Sequence, residues 1–178
     1  MYPKVSIIFV NYNGGKQPIE CLKSIFRLNY PQRKIEIIVI DNGSTDGSLK
    51  KIKRFHKVKL IENKSNLGFA GSINQGVLIS KGEYIFMGND DIVFEKDSLL
   101  EMVQFAKSRP EIGVIGGKIL DKVNPKRVIS LGYFMNKITG NVYPNKSEDL
   151  SKSIDWLQGC ALLISRKTLK KVGLFDPV

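Results

Sequence analysis

The chain opens on the apolar run "VSIIFV" at residues 5–10, and three similar runs follow in "IEIIVID", "VKLIEN" and "EYIFM". Such runs read as strands buried on both faces, because a strand with one wet face would alternate apolar and polar residues. Between them lie amphipathic segments. "KQPIECLKSIFRLN" places Ile19, Leu22, Ile25 and Phe26 on one helical face, and Pro18 suits its first turn. A short basic helix is predicted over 49–55 and another over about 70–80 after "SNLGF". Ser98 is placed to cap a helix bearing Leu99, Met102, Val103 and Ala106, which Pro110 ends. Strands that alternate with helices in this way predict an α/β fold, with a mostly parallel sheet covered by helices on both faces.

In a parallel sheet the loops that follow the strands gather at one edge, where ligands of such folds bind. Three polar loops stand at strand ends: "NYNGG", "DNGSTD" and "GNDD". In the last of them Asn89, Asp90 and Asp91 interrupt an apolar stretch. Two ionised carboxylates about 5 Å apart at an effective dielectric of about 20 repel by roughly 3 kcal/mol, a cost that a fold alone does not require. A hard cation such as Mg²⁺ or Mn²⁺ at the diphosphate of a nucleotide would relieve it. Asp41 can accept hydrogen bonds from a base edge or ribose, and Asn11, Tyr12 and Asn13 can hold a base and its sugar. Each loop taken alone is equally a turn former.

After residue 124 the pattern changes. "RVISLGYFMNKITGNVYP" alternates around a Thr139-Gly140-Asn141 turn and predicts a strand pair. "NKSEDLSKS" reads as a loop, "IDWLQGCALLIS" as a returning strand, "RKTLKKV" as a short helix and Gly173 as its stop. "IGVIGGKIL" reads as one strand, and Cys160, Leu162 and Leu163 as core.

Several functions are excluded. No GxxxxGK[ST] is present and no GxGxxG follows the first strand, which argues against P-loop and dinucleotide folds. A phosphatase of the haloacid-dehalogenase type would need an aspartate where Gly43 stands. The two cysteines lack metal-ligand spacing and imply no disulfide framework, and no apolar run is long enough to span a bilayer. The formal charge of +11 owes much to "KKIKRFHKVK", which begins at Lys50, ends at Lys59 and contains the single histidine, His56. Without interleaved aromatics or a nucleic-acid motif this cluster does not point to nucleic acid; it reads as a solvated helix face or as a peripheral contact with an anionic membrane surface.

Five segments occur in the order and at about the separations seen in family 2 glycosyltransferases of the GT-A fold: "VSIIFVNYNG", "IEIIVIDNGSTDGS", "NLGFAGSINQG", "GEYIFMGNDDIVF" and "WLQGCALLISRKTLKKVGLFD". The sequence most resembles the rhamnosyltransferase-like members. The resemblance implies inverting transfer of a sugar from a UDP-, dTDP- or GDP-linked donor to a glycan or lipid-linked acceptor, with a divalent metal, in the cytoplasm or at the inner face of the cell membrane. It implies donor contacts at Val10, Asn11, Tyr12, Asn13, Asp41, Asn42, Gly43, Ser44, Asn66, Gly68, Phe69, Asn74, Asn89 and Asp90. Asp91 is implied as metal ligand at the DxD-like position, and Trp156 and Gly159 as facing the acceptor. A single GT-A domain is expected over 1–178, its donor half at 1–123 and the start of its acceptor half at 124–178. The family's catalytic base lies in an acidic motif shortly after "GLFD", so it is expected beyond Val178; Asp155 and Asp176 are the substitutes within the chain. The alternatives are a non-catalytic nucleotide-sugar-binding module and a sugar-1-phosphate nucleotidyltransferase, although "NYNGGKQP" lacks the arginine that would meet a triphosphate.

Overall fold

The structure, a computed structural model, describes residues 1–147 and 154–177. Its first part alternates strands β1 (Val5–Asn11), β2 (Ile35–Asp41), β3 (Val58–Glu62) and β4 (Tyr84–Asn89) with helices α1 (Gln17–Ile25), α2 (Ser48–Ile52) and α3 (Gly68–Ile79). Helix α4 (Ser98–Ser108) leads to β5 (Val114–Gly116), β6 (Ile119–Leu120), β7 (Val128–Ser130), β8 (Tyr133–Met135) and β9 (Val142–Pro144). Strand β10 (Ala161–Ser165) and helix α5 (Arg166–Val172) close the chain.

The main sheet has the order β3-β2-β1-β4-β10-β5. Its first four strands are parallel, and β10 runs antiparallel between β4 and β5. The period of two sends alternate residues to opposite faces. Val5, Ile7 and Phe9 of β1 join one core cluster with Ile37, Val39 and Phe86, beneath α1, α2 and α4. Ile8 joins the other with Ile38, Ile40, Ile85 and Met87, beneath α3 and α5. Both faces are thus dry, which is why these strands read as apolar throughout.

At the end of the sheet where the parallel strands begin, Glu36 is buried. It accepts hydrogen bonds from Ser6 Oγ at 2.5 Å, Lys59 Nζ at 2.7 Å and the Lys81 amide at 2.7 Å. Burial opposes its charge, but the bonds from Lys59, Ser6 and Lys81 and the charge of Lys4 outweigh it, so the carboxyl is lowered to about 2.

The structure departs from the sequence reading in several places. "IGVIGGKIL" is two strands, because β5 pairs with β10 whereas β6 leaves the main sheet to pair with β7. Asp97, not Ser98, holds the N-cap position of α4, and it makes no side-chain capping bond; Ser98 is the first helical residue and its hydroxyl donates to the Glu95 carbonyl at 2.8 Å. The basic helix stops at Ile52, and β10 begins only at Ala161. Cys160 and Leu162 are half-buried rather than core. The predicted pair around Thr139-Gly140-Asn141 is present as β8 and β9. Of the polar loop "NKSEDLSKS", residues 148–153 lie outside the described residues.

Candidate functional site

Strand β1 lies between β2 and β4, so the connections leave it in opposite directions and open a crevice at the carboxyl ends. Register sets Asn11 opposite Asp41 and Val10 opposite Asn89. Asn11 and Asp41 are fully buried, and the Asn11 amide donates to Asp41 Oδ2 at 2.5 Å. It also lies 2.9 Å from each of Ser44 Oγ and Ser48 Oγ. Asp41 Oδ1 accepts from the backbone N–H groups of Gly43 and Ser44, at 3.1 and 2.9 Å. Gly43 turns the chain there with φ of 80°, a conformation that disfavours any residue with a Cβ.

The first two loops are stitched together. The Asn13 backbone N–H donates to Ser44 Oγ at 3.0 Å, and Asn13 Oδ1 accepts from the Thr45 N–H at 2.8 Å. Gly15 N–H reaches Asp46 Oδ2 at 2.7 Å. Asn13 has φ of 54°, in the left-handed region that asparagine tolerates better than most residues. Val10 is half-buried against the core on the α3 face. Tyr12, 53% exposed, projects from the stitched loops.

Asn42 spends its amide inside the protein. Nδ2 donates to Asn66 Oδ1 at 2.9 Å, and Oδ1 accepts from Asn63 at 2.9 Å and Ser72 at 2.8 Å. It thereby ties the end of β2 to the start of α3, where Asn66, Gly68 and Phe69 are exposed. Asn74 lies further along α3, and its amide exchanges hydrogen bonds with the backbone of Phe175 at 2.7 and 3.0 Å.

Across the crevice, Asn89 and Asp91 are exposed whereas Asp90 turns inward. Its Oδ2 is buried with no hydrogen-bond partner among the described residues. Gly14 makes room for it: a Cβ there would lie 2.2 Å from Asp90 Oδ2 and 2.7 Å from Asn11 Oδ1. Burial first, then the charges of Asp91 and Asp46, push the Asp90 carboxyl up to about 6. Burial likewise raises the thiol of Cys160, and Asp91 adds to that rise. The Asn89 N–H donates to the Cys160 carbonyl at 3.2 Å, which brings the chain next to Gly159 up to the end of β4. Trp156 is 51% exposed, with its ring 4.8 Å from that of Tyr133. Of the substitutes considered for a base, Asp155 accepts a bond from the Met135 N–H at 3.1 Å.

An unsatisfied buried carboxylate oxygen beside an exposed carboxylate suits a hard, oxygen-seeking cation. Among the described residues no group of three or more His, Cys, Asp or Glu could enclose one. Sequence reasoning passed over Gly14, Asp46 and Ser48; the Asx-turn pattern "DGS" was the one local signal for the last two.

The mixed sheet and its loop edge are those of the GT-A glycosyltransferases. The mannosyltransferase PcManGT of Pyrobaculum calidifontis, solved in complex with GDP-Man and Mn²⁺, superposes with a TM-score of 0.76 at 20% identity, over 99% of this chain and 48% of its own. TarS 1–349 of S. aureus in complex with UDP-GlcNAc superposes with a TM-score of 0.58 at 25% identity, over 64% of this chain and 33% of its own. Residues 6–172 match the profile of Glycosyl transferase family 2, and the chain belongs to that family. It is 28% identical to the poly-beta-1,6-N-acetyl-D-glucosamine synthase of Staphylococcus epidermidis, over 97% of this chain and 42% of the relative. It is 24% identical to the N-acetylglucosaminyl-diphospho-decaprenol L-rhamnosyltransferase of Mycobacterium tuberculosis, over 96% of this chain and 64% of that protein. The chain thus spans less than two thirds of the length of these relatives.

Proposed function

We propose that the chain carries the donor-handling part of an inverting glycosyltransferase. It would move a sugar from a nucleoside diphosphate to an acceptor hydroxyl in cell-envelope polysaccharide or lipid-linked glycan synthesis. The observation that carries this reading is the meeting, at the β1/β4 crevice, of the buried Asn11–Asp41 pair with Asp90 and Asp91. It is supported by relatives named for synthesis of a poly-N-acetylglucosamine and for rhamnosyl transfer to an N-acetylglucosaminyl-diphospho-decaprenol, and by neighbours solved with GDP-Man and UDP-GlcNAc.

In this reading residues 1–123 bind the donor and residues 124–178 lie on the acceptor side. Tyr12 stacks on the base, and Asn11, Asn13, Asp41, Gly43 and Ser44 form the floor beside Val10 that orients base and ribose. Asn42 acts by holding Asn66, Gly68 and Phe69 along the opposite wall, and Asn74 steadies α3 behind them. Asn89 and Asp90 meet the ribose and diphosphate, and Asp91 holds Mg²⁺ or Mn²⁺. When bound, that cation supplies charge stabilisation for the departing diphosphate, which is greater in the transition state than in the ground state. Trp156 and Gly159 border the acceptor. Asp155 is a scaffold group, since its carboxylate holds the β8 backbone.

No helix among the described residues is long and apolar enough to cross a membrane. The family resemblance supports, as part of this proposal, a cytoplasmic protein with peripheral membrane contact. In the cluster from Lys50 to Lys59, Lys53 pairs with Glu62 and Lys59 with Glu36, which leaves part of its charge compensated.

The test is calorimetric titration with UDP, dTDP and GDP, each with and without Mn²⁺, on wild type and Asp91→Ala. One diphosphate should bind in a metal-dependent manner, and Asp91→Ala should lose that binding at an unchanged unfolding temperature, because Asp91 is exposed. Equal affinity in the variant with Mn²⁺ present would remove the metal assignment. Binding of none of the three would overturn the donor reading.

A further inference from the structure

The segment at residues 122–147 carries five Lys or Arg residues and no Asp or Glu, with Asp121 just before it and Glu148 and Asp149 just after it in the sequence. It is also where the fold leaves large apolar side chains in water. Val123 is 94% and Ile138 96% exposed, and Met135, Val142 and Tyr143 are 43%, 47% and 50% exposed. Every residue of β9 is exposed. The reason is architectural: β8 and β9 form a two-stranded ribbon outside the main sheet, and β8 is tied to the rest of the fold by a backbone bridge from Tyr133 to Trp156. Its register sets Met135 against Val142 and Phe134 against Tyr143, so apolar residues occupy both faces. Nothing in folding requires an isoleucine at a hairpin tip, with Lys137 beside it.

We propose that this segment is a docking surface for an anionic lipid bilayer. Apolar side chains at the tip and ribbon would enter the headgroup boundary, the aromatic Tyr143 suits the interface, and lysine stems would let their ammonium groups stay at the phosphates. Charge complementarity selects this occupant: Lys122 is paired with Glu20 and Arg127 with Asp121, but the exposed Lys126, Lys137 and Lys146 remain to face lipid phosphates, each contributing a factor of about five to binding. The surface adjoins the site. Tyr133, at the base of β8, packs on Trp156 at 4.8 Å and accepts from Gln158 Nε2 at 3.1 Å, and two residues further on the Cys160 carbonyl holds Asn89. A bilayer held on this ribbon would therefore lie beside the rim that borders the acceptor. The surface is separate from the cluster at Lys50 to Lys59, and its test is independent of the donor reading because no nucleotide takes part.

The experiment is flotation of the protein with vesicles of phosphatidylcholine alone or mixed with phosphatidylglycerol, while the fluorescence of Trp156, the single tryptophan, is followed. The proposal expects binding to the anionic vesicles only, weakened by salt, with a blue shift of Trp156 emission. Ile138→Asp should weaken binding about tenfold or more, and the double reversal Lys126→Glu/Lys137→Glu by at least as much. Lys50→Glu/Lys51→Glu should change it no more than about twofold. All these side chains are exposed, so the unfolding temperature should hold in each variant. The proposal is overturned if anionic vesicles do not bind, if Ile138→Asp binds as wild type, or if only the Lys50/Lys51 variant loses binding. A dimer that Ile138→Asp dissociates, without vesicle binding, would assign the face to a second copy and overturn it equally.

Discussion

Gly14 has no side chain, and the loop after β1 closes over Asp90 because of it. Gly14→Ala would drive a methyl group into the Asp90 carboxylate and to 2.7 Å from Asn11 Oδ1 and 2.9 Å from the Pro18 ring, so at least one of them must shift. We expect a loss of about 1–3 kcal/mol in chemical denaturation, the usual cost of overpacking, together with weaker diphosphate binding. Full stability in this variant would mean that the loop rides free of Asp90. Asp41→Ala acts differently. It strands two part-buried backbone N–H donors and removes one acceptor from the buried Asn11 amide, so stability should fall by about 2–3 kcal/mol. Diphosphate binding should fall with it, whether or not Mn²⁺ is present, which separates Asp41 from Asp91; unaltered binding would return Asp41 to the role of a turn former. The types and positions of Asn11, Asp41 and Asp91 could be read in the sequence because they follow apolar strands. The part played by Gly14 could not, since a glycine in a polar loop looks the same whether or not a carboxylate lies under it.

At the scale of elements, Glu36 shows what periodicity hides. It sits in "IEIIVID" as a polar residue in an apolar run, and nothing local says that it is held by Ser6, Lys59 and the Lys81 amide, which belong to three other parts of the chain. Its carboxyl titrates near 2 in the folded protein against 4.5 unperturbed. Ionised Glu36 therefore stabilises the fold fully above about pH 4.5, and this contribution is lost as pH falls toward 2. Glu36→Gln should cost about 1–2 kcal/mol at pH 7, a figure held down by the 46% exposure of Lys59. The difference from wild type should shrink progressively below pH 4.5 in denaturation series; a deficit that does not vary with pH would show that packing, not charge, holds Glu36. Helix α4 makes the complementary point. Its apolar face was readable, but its cap was not: a serine before an apolar run can cap a helix or begin it, and the choice depends on where the chain enters from the Asp90 loop.

For the whole molecule, stability is concentrated where strands are covered on both sides. Amide hydrogen exchange should be slowest in β1, β2 and β4, whose residues lie between the two core clusters, and fast in β8 and β9, which cover neither. Equal protection in both regions would show that the ribbon is built into the core. The sequence by itself determined the alternation of strands and helices, the two dry faces of the sheet and the polar loops at strand ends, because these depend on neighbours a few residues apart and on periods of 2 and 3.6. It also carried the family, through five segments in order. Only the tertiary structure decided that β10 returns antiparallel against β4, that β6 abandons the sheet, that Asn11 meets Asp41 across 30 residues of chain, and that Asp90 is buried while Asp91 stays in water. Those outcomes rest on which distant surfaces exclude water together, and local propensity carries no record of that pairing.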